Sequence, residues 1–305
     1  MAINPSEQIQ QFLKQREAMM AAAAEGPPPD LATMRAGSDA AAPPVPSDVT
    51  VTEVDAGGVP ADWVLAPGAD PNRRLLYLHG GGYVIMSRKT HRRLASDISR
   101  ASGCAVLVLD YRLAPEHPFP AQNDDALAAY RWMRENGPNG AGAATSAFIA
   151  GDSAGGGLTL STTIAARDAG VALPNAVVTL SAWTDVSHAR ESRQTRAATD
   201  PIFTNPGSLE GFSTHYVGAD NREHPLASPV FADLHGLPPI LMQVADAEVL
   251  LDDTLDFAKH AREAGVRTTV TVEPHGFHIY HYFLPEAPET LAAIGEIGGF
   301  LRAHG

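Results

Sequence analysis

Solidly apolar runs of four or five residues recur along the chain, separated by stretches whose apolar positions return at helical spacing. Leu75 to Leu78, Ala105 to Leu109, Ala147 to Ala150, Ala176 to Leu180 and Ile240 to Val244 are such runs. Each is too short for a buried helix and lacks the alternation of a half-exposed strand, so each predicts a strand covered on both faces. Helical periodicity fills the intervals: about Thr90 to Ala101, Gln122 to Glu135, Leu158 to Ala166, Leu251 to Ala264 and Pro288 to Leu301. Thr268 to Val272 adds a further strand before the last helix. Alternating strands and helices mean a parallel sheet sandwiched between helices, an α/β fold. Val49 to Val54 and Val59 to Leu65 alternate apolar with polar positions around Gly57-Gly58, which predicts an antiparallel hairpin. The expected sheet has about eight mostly parallel strands.

Two stretches fall outside this rhythm. At the N-terminus, Asn4-Pro5-Ser6-Glu7 reads as a helix start with Asn4 as cap. Ile9, Phe12, Leu13 and Met20 then form an apolar stripe, and Gly26-Pro27-Pro28-Pro29 stops the helix. From there to Pro46, Ala, Pro and Gly dominate, as in an extended connector. The second stretch, Asp185 to Asp233, carries many charges, Pro201, Pro206 and Pro225, and weak helical patterning near Leu209 to Tyr216. So long an interruption of a regular fold is expected to have a job. The expected organisation is a core of residues 47–185 and 234–305. Residues 1–46 and the insertion 186–233 would form a helical cap over the C-terminal edge of its sheet.

With 305 residues there is room for one large core plus such a cap. The net charge of −13 argues against a nucleic-acid partner or an anionic membrane surface. No apolar run reaches membrane-spanning length, and glutamines stand where a signal peptide would be apolar. Cys104 is the only cysteine, which excludes an internal disulfide and favours a cytoplasmic setting. It opens an apolar strand, as a buried inert thiol would.

The candidate chemistry begins at Gly151-Asp152-Ser153-Ala154-Gly155, between the run at Phe148 and the helix after it. Strand, G-x-S-x-G turn and helix make a nucleophile elbow, which raises Ser153 out of the sheet on a strained backbone. A dinucleotide-binding turn would need G-x-G-x-x-G, which this stretch does not fit. His79-Gly80-Gly81-Gly82 follows another strand directly. Glycines there let backbone N–H groups approach a substrate, so Gly81, Gly82 and Ala154 are the candidate oxyanion donors.

An unassisted serine is a poor nucleophile, and a base and an acid are expected at the ends of later strands. Pro274-His275-Gly276-Phe277-His278 supplies His275, His278 and, three positions on, His281. Three histidines at this spacing could ligate a metal, but no carboxylate or thiol cluster accompanies them, so none is expected. After Ile240 to Val244 come Asp246, Glu248, Asp252 and Asp253, four competing carboxylates. Asp252 and Asp253 sit where a helix begins and would suit its N-terminus.

Together with Tyr111-Arg112-Leu113-Ala114-Pro115-Glu116, Phe119-Pro120-Ala121 and Ser228-Pro229, these motifs resemble the hormone-sensitive lipase branch of the α/β-hydrolases, the bacterial family IV carboxylesterases. The resemblance covers nearly everything after Val49. It implies an α/β-hydrolase fold with a helical cap and a serine carboxylic-ester hydrolase acting on short- to medium-chain esters through an acyl-enzyme. No cofactor or metal is implied, and homodimers are a tendency of the family. The family's usual Asp-Pro-Leu at the acid is replaced by Glu248-Val249-Leu250. Its catalytic histidine typically follows the acid by about thirty positions, an interval that selects Glu248 with His278. Two alternatives share the fold: hydrolysis of amides or lactones, and non-catalytic binding as in the plant gibberellin receptors. Those receptors resemble this branch but lack the catalytic histidine, whereas a histidine stands at that place here.

Overall fold

The computed structural model describes residues 5–23, 29–203 and 207–305; the side chains of 19–23 are outside that description. Its centre is an eight-stranded sheet in the order β1-β2-β4-β3-β7-β8-β9-β10. The strands are β1 (Thr50–Asp55), β2 (Pro60–Leu65), β3 (Asp70–Leu78), β4 (Cys104–Leu109), β7 (Ser146–Asp152), β8 (Ala176–Leu180), β9 (Ile240–Ala245) and β10 (Thr268–Glu273). β5 (Asn136–Gly137) and β6 (Gly140–Ala141) form only a short separate ladder. Within the eight-stranded sheet β2 runs antiparallel to both neighbours, and every other pairing is parallel.

The period-2 pattern sends neighbouring residues to opposite faces. Leu76 and Leu78 of β3 pack in one apolar cluster with α4 (Ala121–Glu135). Leu75 and Tyr77 pack in another with α3 (Arg88–Ser102) and α10 (Pro288–Ala303). Burial on both faces explains why these strands read as continuous apolar runs. α5 (Ser153–Asp168) and α8 (Leu251–Glu263) complete the helical layers. Cys104 is buried and free, and burial pushes its thiol up from the ordinary range.

The N-terminal region departs from expectation in two ways. α1 (Glu7–Ala23) begins with Ser6 before it, whose hydroxyl accepts from the Ile9 N–H at 3.4 Å. Asn4, the side chain of Met20 and the stop at Gly26-Pro27-Pro28 lie outside the described residues. The expected extended connector instead contains α2 (Leu31–Ala40), capped by Asp30, which accepts from the Thr33 N–H at 2.8 Å. No residue of α2 is fully buried, and its half-buried face (Leu31, Met34, Arg35, Ser38 and Asp39) carries only two apolar side chains, too few for the stripe by which helices are recognised. Side-chain ties hold it instead. Arg35 makes two 2.8 Å contacts to the Glu116 carboxylate and donates to the carbonyls of Val84 and Ala114. Arg35 holds Glu116 down to about 2.

The interruption after β8 contains α6 (Ser192–Thr195), α7 (Gly207–Val217) and a 3-10 turn at Pro229–Phe231. Pro206 is outside the described residues. α7 is tied to the loop before α4 through the Phe119 N–H, which donates to the Tyr216 carbonyl at 2.8 Å. Among the described residues no helix is long and apolar enough to cross a membrane.

Candidate active site

The parallel strands deliver the candidate residues to one edge. Ser153 follows β7, His79 follows β3, Ser181 follows β8, Glu248 lies just after β9 and His278 just after β10. All leave the C-terminal ends of their strands, where open α/β sheets place their binding crevice.

Ser153 has φ +52, a left-handed conformation that non-glycine residues seldom adopt. The sharp turn brings the following helix so close that Cβ atoms on its glycines would collide. One on Gly155 would strike the Leu78 and His79 carbonyls, and one on Gly157 the Trp183 carbonyl. Ser153 Oγ lies 3.0 Å from His278 Nε2, and His278 Nδ1 lies 2.7 Å from Glu248 Oε2. All three side chains are almost fully buried. The other oxygen, Glu248 Oε1, accepts from the Ala245 N–H at 2.6 Å and the Ser181 hydroxyl at 2.9 Å. The same hydroxyl accepts from the Ile279 N–H at 3.2 Å, so Ser181 fastens the loop bearing Glu248 to the loop bearing His278. Ser181 has no sequence motif, because its partners lie 67 and 98 positions away.

The competing side chains are elsewhere. Asp246 is half exposed and pairs with Arg196 at 3.0 Å. Asp252 accepts from the Ser192 N–H at 2.7 Å. Asp253 is buried, accepts from the N–H groups of Thr184 and Asp185, and pairs with Arg193 at 2.9 Å. Its burial pushes its carboxyl up to about 7. Both aspartates lie in the first turn of α8, yet neither caps it; their bonds reach across to the loop after β8 instead. His281 is buried against Gln243, with Nε2 to Oε1 at 3.1 Å, and burial pushes it down to about 3. His275 is partly buried and bonds through its backbone N–H to Glu273. The three histidines therefore do not converge.

Gly81 and Gly82 line the same cavity as Ser153 and His278. Their φ values are +107 and +62; a Cβ on Gly82 would come within 2.5 Å of the Phe212 ring. Only glycine fits that backbone and that space. The loop is braced from below by Asp152, which accepts from the Gly80 N–H at 3.2 Å and Tyr77 at 2.8 Å, with His91 Nε2 3.1 Å away. Burial raises an isolated carboxyl, but His91, Tyr77 and His79 together hold Asp152 below its usual range. His79 stacks on Tyr111 at 4.2 Å; burial first, and His91 second, push it down to about 4. Neutral and packed, it shapes the loop. Ala154 stands in the first turn of α5, where backbone N–H groups lack an intrahelical acceptor.

The cavity encloses about 250 Å³ and is mostly apolar, with Met34, Ile85, Ile202, Phe203, Leu209, Phe212 and Phe283 in its walls. Phe203 lies 4.7 Å from the His278 ring. Its segment is held by Asp200, which accepts from the N–H groups of Ile202 and Phe203 and, with its other oxygen, of Val249. Among the described side chains, the apolar stripe of α1, a helix expected in the cap, does not line the cavity. Ile9 is buried, Phe12 stacks on Phe277 at 4.4 Å, and Leu13 is 38% exposed. Among the described side chains of α1 it is Arg16 that lines the cavity.

A family model described as the alpha/beta hydrolase fold matches residues 75–282. An acetyl-hydrolase of Streptomyces hygroscopicus is 43% identical over 84% of this chain and 83% of its own length. An ethyl acetate hydrolase of Pseudomonas putida is 34% identical, over 82% and 81%. Among solved structures, an esterase from the bacterial hormone-sensitive lipase family superposes with a TM-score of 0.90 at 41% identity, covering 99% of both chains.

Proposed function

Because this chain belongs to the hormone-sensitive lipase-like α/β-hydrolases and is a carboxylesterase, we propose that it cleaves its ester through an acyl-enzyme on Ser153. The observation that carries this is the unbroken contact chain from Ser153 Oγ through His278 to Glu248, opening into one cavity with Gly81 and Gly82.

In this mechanism His278 Nε2 takes the hydroxyl proton as Ser153 Oγ attacks the ester carbonyl. The carbonyl oxygen becomes an oxyanion, which accepts hydrogen bonds from the N–H groups of Gly81, Gly82 and Ala154. Glu248 fixes the tautomer of His278, with the proton on Nδ1, and stabilises the imidazolium. The imidazolium then protonates the leaving alcohol. Water, deprotonated by the same imidazole, attacks the acyl-enzyme and restores Ser153.

The substrates in this proposal are short- to medium-chain esters. A cavity of about 250 Å³ has room for a modest acyl chain, and the relatives' names, acetyl-hydrolase and ethyl acetate hydrolase, point the same way. The cap consists of α1, α2 and the segment 186–233, which contribute Arg16, Met34, Ile202, Phe203, Leu209 and Phe212 to the walls. Turnover of p-nitrophenyl esters of rising acyl length tests the proposal. It requires activity that peaks at short or medium chains and disappears in Ser153→Ala; a profile rising to long chains contradicts it.

A further inference from the structure

Among the described residues lining the cavity, Arg16 is the only arginine or lysine, and no aspartate or glutamate is present. An arginine on a surface helix ordinarily points its head to water or to a carboxylate. Arg16 is fixed by a backbone carbonyl and not by a carboxylate. Its Nε donates to the Pro201 carbonyl at 3.0 Å, which orients the guanidinium at the base of the Ile202–Phe203 segment. Its two terminal nitrogens have no hydrogen-bond or ion-pair partner among the described residues. Glu17 and Asp200 line a second, open pocket with Arg16, but neither makes an ion pair with it. The side chain is partly buried, and Met34, Ile202 and Phe283 line the same cavity. A neutral ester uses none of this charge.

We propose that Arg16 receives a carboxylate carried by the substrate at the end remote from the ester. The preferred substrates would then be half-charged: monoesters of dicarboxylic acids, or acyl esters of hydroxy acids. The inference rests on the reading of Ser153 as nucleophile in the same cavity. A guanidinium already oriented through Nε presents its terminal N–H groups as a fork, the geometry that holds a carboxylate through two parallel bonds. On the cavity side the mostly apolar lining lowers the local dielectric and strengthens such a contact relative to open water.

The test compares matched pairs of esters by pH-stat. Monoethyl adipate against ethyl hexanoate places the carboxylate on the acyl arm; 4-acetoxybutanoate against butyl acetate places it on the alcohol arm. The ratio of kcat/KM, charged over neutral, is read within each variant, so differences in folded fraction cancel. In the native protein one pair should favour the charged ester by on the order of tenfold, the scale of one charge-assisted hydrogen bond. Arg16→Lys should retain part of that ratio and Arg16→Met should abolish it. Arg16→Glu should invert it and favour ethyl 6-aminohexanoate over ethyl hexanoate. If the neutral esters are hydrolysed but both ratios are equal in the native protein and Arg16→Met, Arg16 only braces Pro201 and the proposal is overturned. If Ser153→Ala still hydrolyses the neutral esters, the nucleophile reading falls and this proposal falls with it.

Discussion

Glu248 and His278 are joined at 2.7 Å, and the carboxylate oxygen not facing the imidazole is held by the Ser181 hydroxyl and the Ala245 N–H. Both oxygens are thus committed, and the carboxylate has one orientation toward Nδ1. Glu248→Gln keeps the shape but removes the charge. It should lower kcat on p-nitrophenyl acetate by on the order of 10⁴. Asp246→Asn should stay within a few-fold of the native rate, because an exposed pair with Arg196 is worth little. Asp252→Asn should cost stability before activity, since its carboxylate holds the Ser192 N–H. A nearly active Glu248→Gln beside an inactive Asp246→Asn would move the acid elsewhere.

Gly82 is required for two separable reasons, its φ of +62 and the Phe212 ring where a Cβ would stand. Gly82→Ala should lower kcat by about 10² to 10³, the usual cost of losing one oxyanion donor. Adding Phe212→Ala removes the collision but not the backbone requirement, so the double variant should stay impaired. Full recovery would mean that Gly82 supplies only space.

His281 gives a pH dependence whose sign follows from its burial. Its imidazole, ordinarily near 6.5, is pushed down to about 3 in the folded chain. Between those values the unfolded chain holds a proton that the folded chain refuses. The contribution is therefore complete above pH 6.5 and is lost as pH falls toward 3, by up to about 1.4 kcal/mol per pH unit. His281→Gln should show a shallower loss of urea-unfolding stability between pH 6.5 and 4. An unchanged slope would show that His281 accepts its proton without unfolding.

The strands and Ser153 were legible because their signals are local. Solid apolar runs marked β4, β7, β8 and β9 to within a few residues and the C-terminal half of β3, whose polar start at Asp70 they missed, and the glycines around Ser153 follow from one tight turn. Glu248 over its neighbours came from the family's interval, because four carboxylates in nine positions look alike without the third dimension. What was illegible is carried by long-range polar contacts. Ser181 joins two loops distant in sequence, Arg35 ties α2 to Glu116 81 positions away, and Arg16 meets Pro201 185 positions away. α2 was missed because the inward face of so short a helix is mostly polar, with Arg35, Ser38 and Asp39 beside Leu31 and Met34. The apolar stripe on α1 packs through Phe12 on Phe277, and among the described side chains of α1 it is Arg16 that lines the cavity.

The most direct test of the account is the covalent fate of Ser153. The protein is incubated with a p-nitrophenyl alkylphosphonate, which is attacked by an activated serine and then not hydrolysed. Intact mass, peptide mapping and residual esterase activity are followed together. The account predicts one adduct per chain, located on Ser153, formed in step with complete loss of activity and absent from Ser153→Ala. That variant should itself have lost on the order of 10⁶ in kcat. An adduct on another residue that tracks inactivation, or more than a few per cent of activity in pure Ser153→Ala, would contradict it.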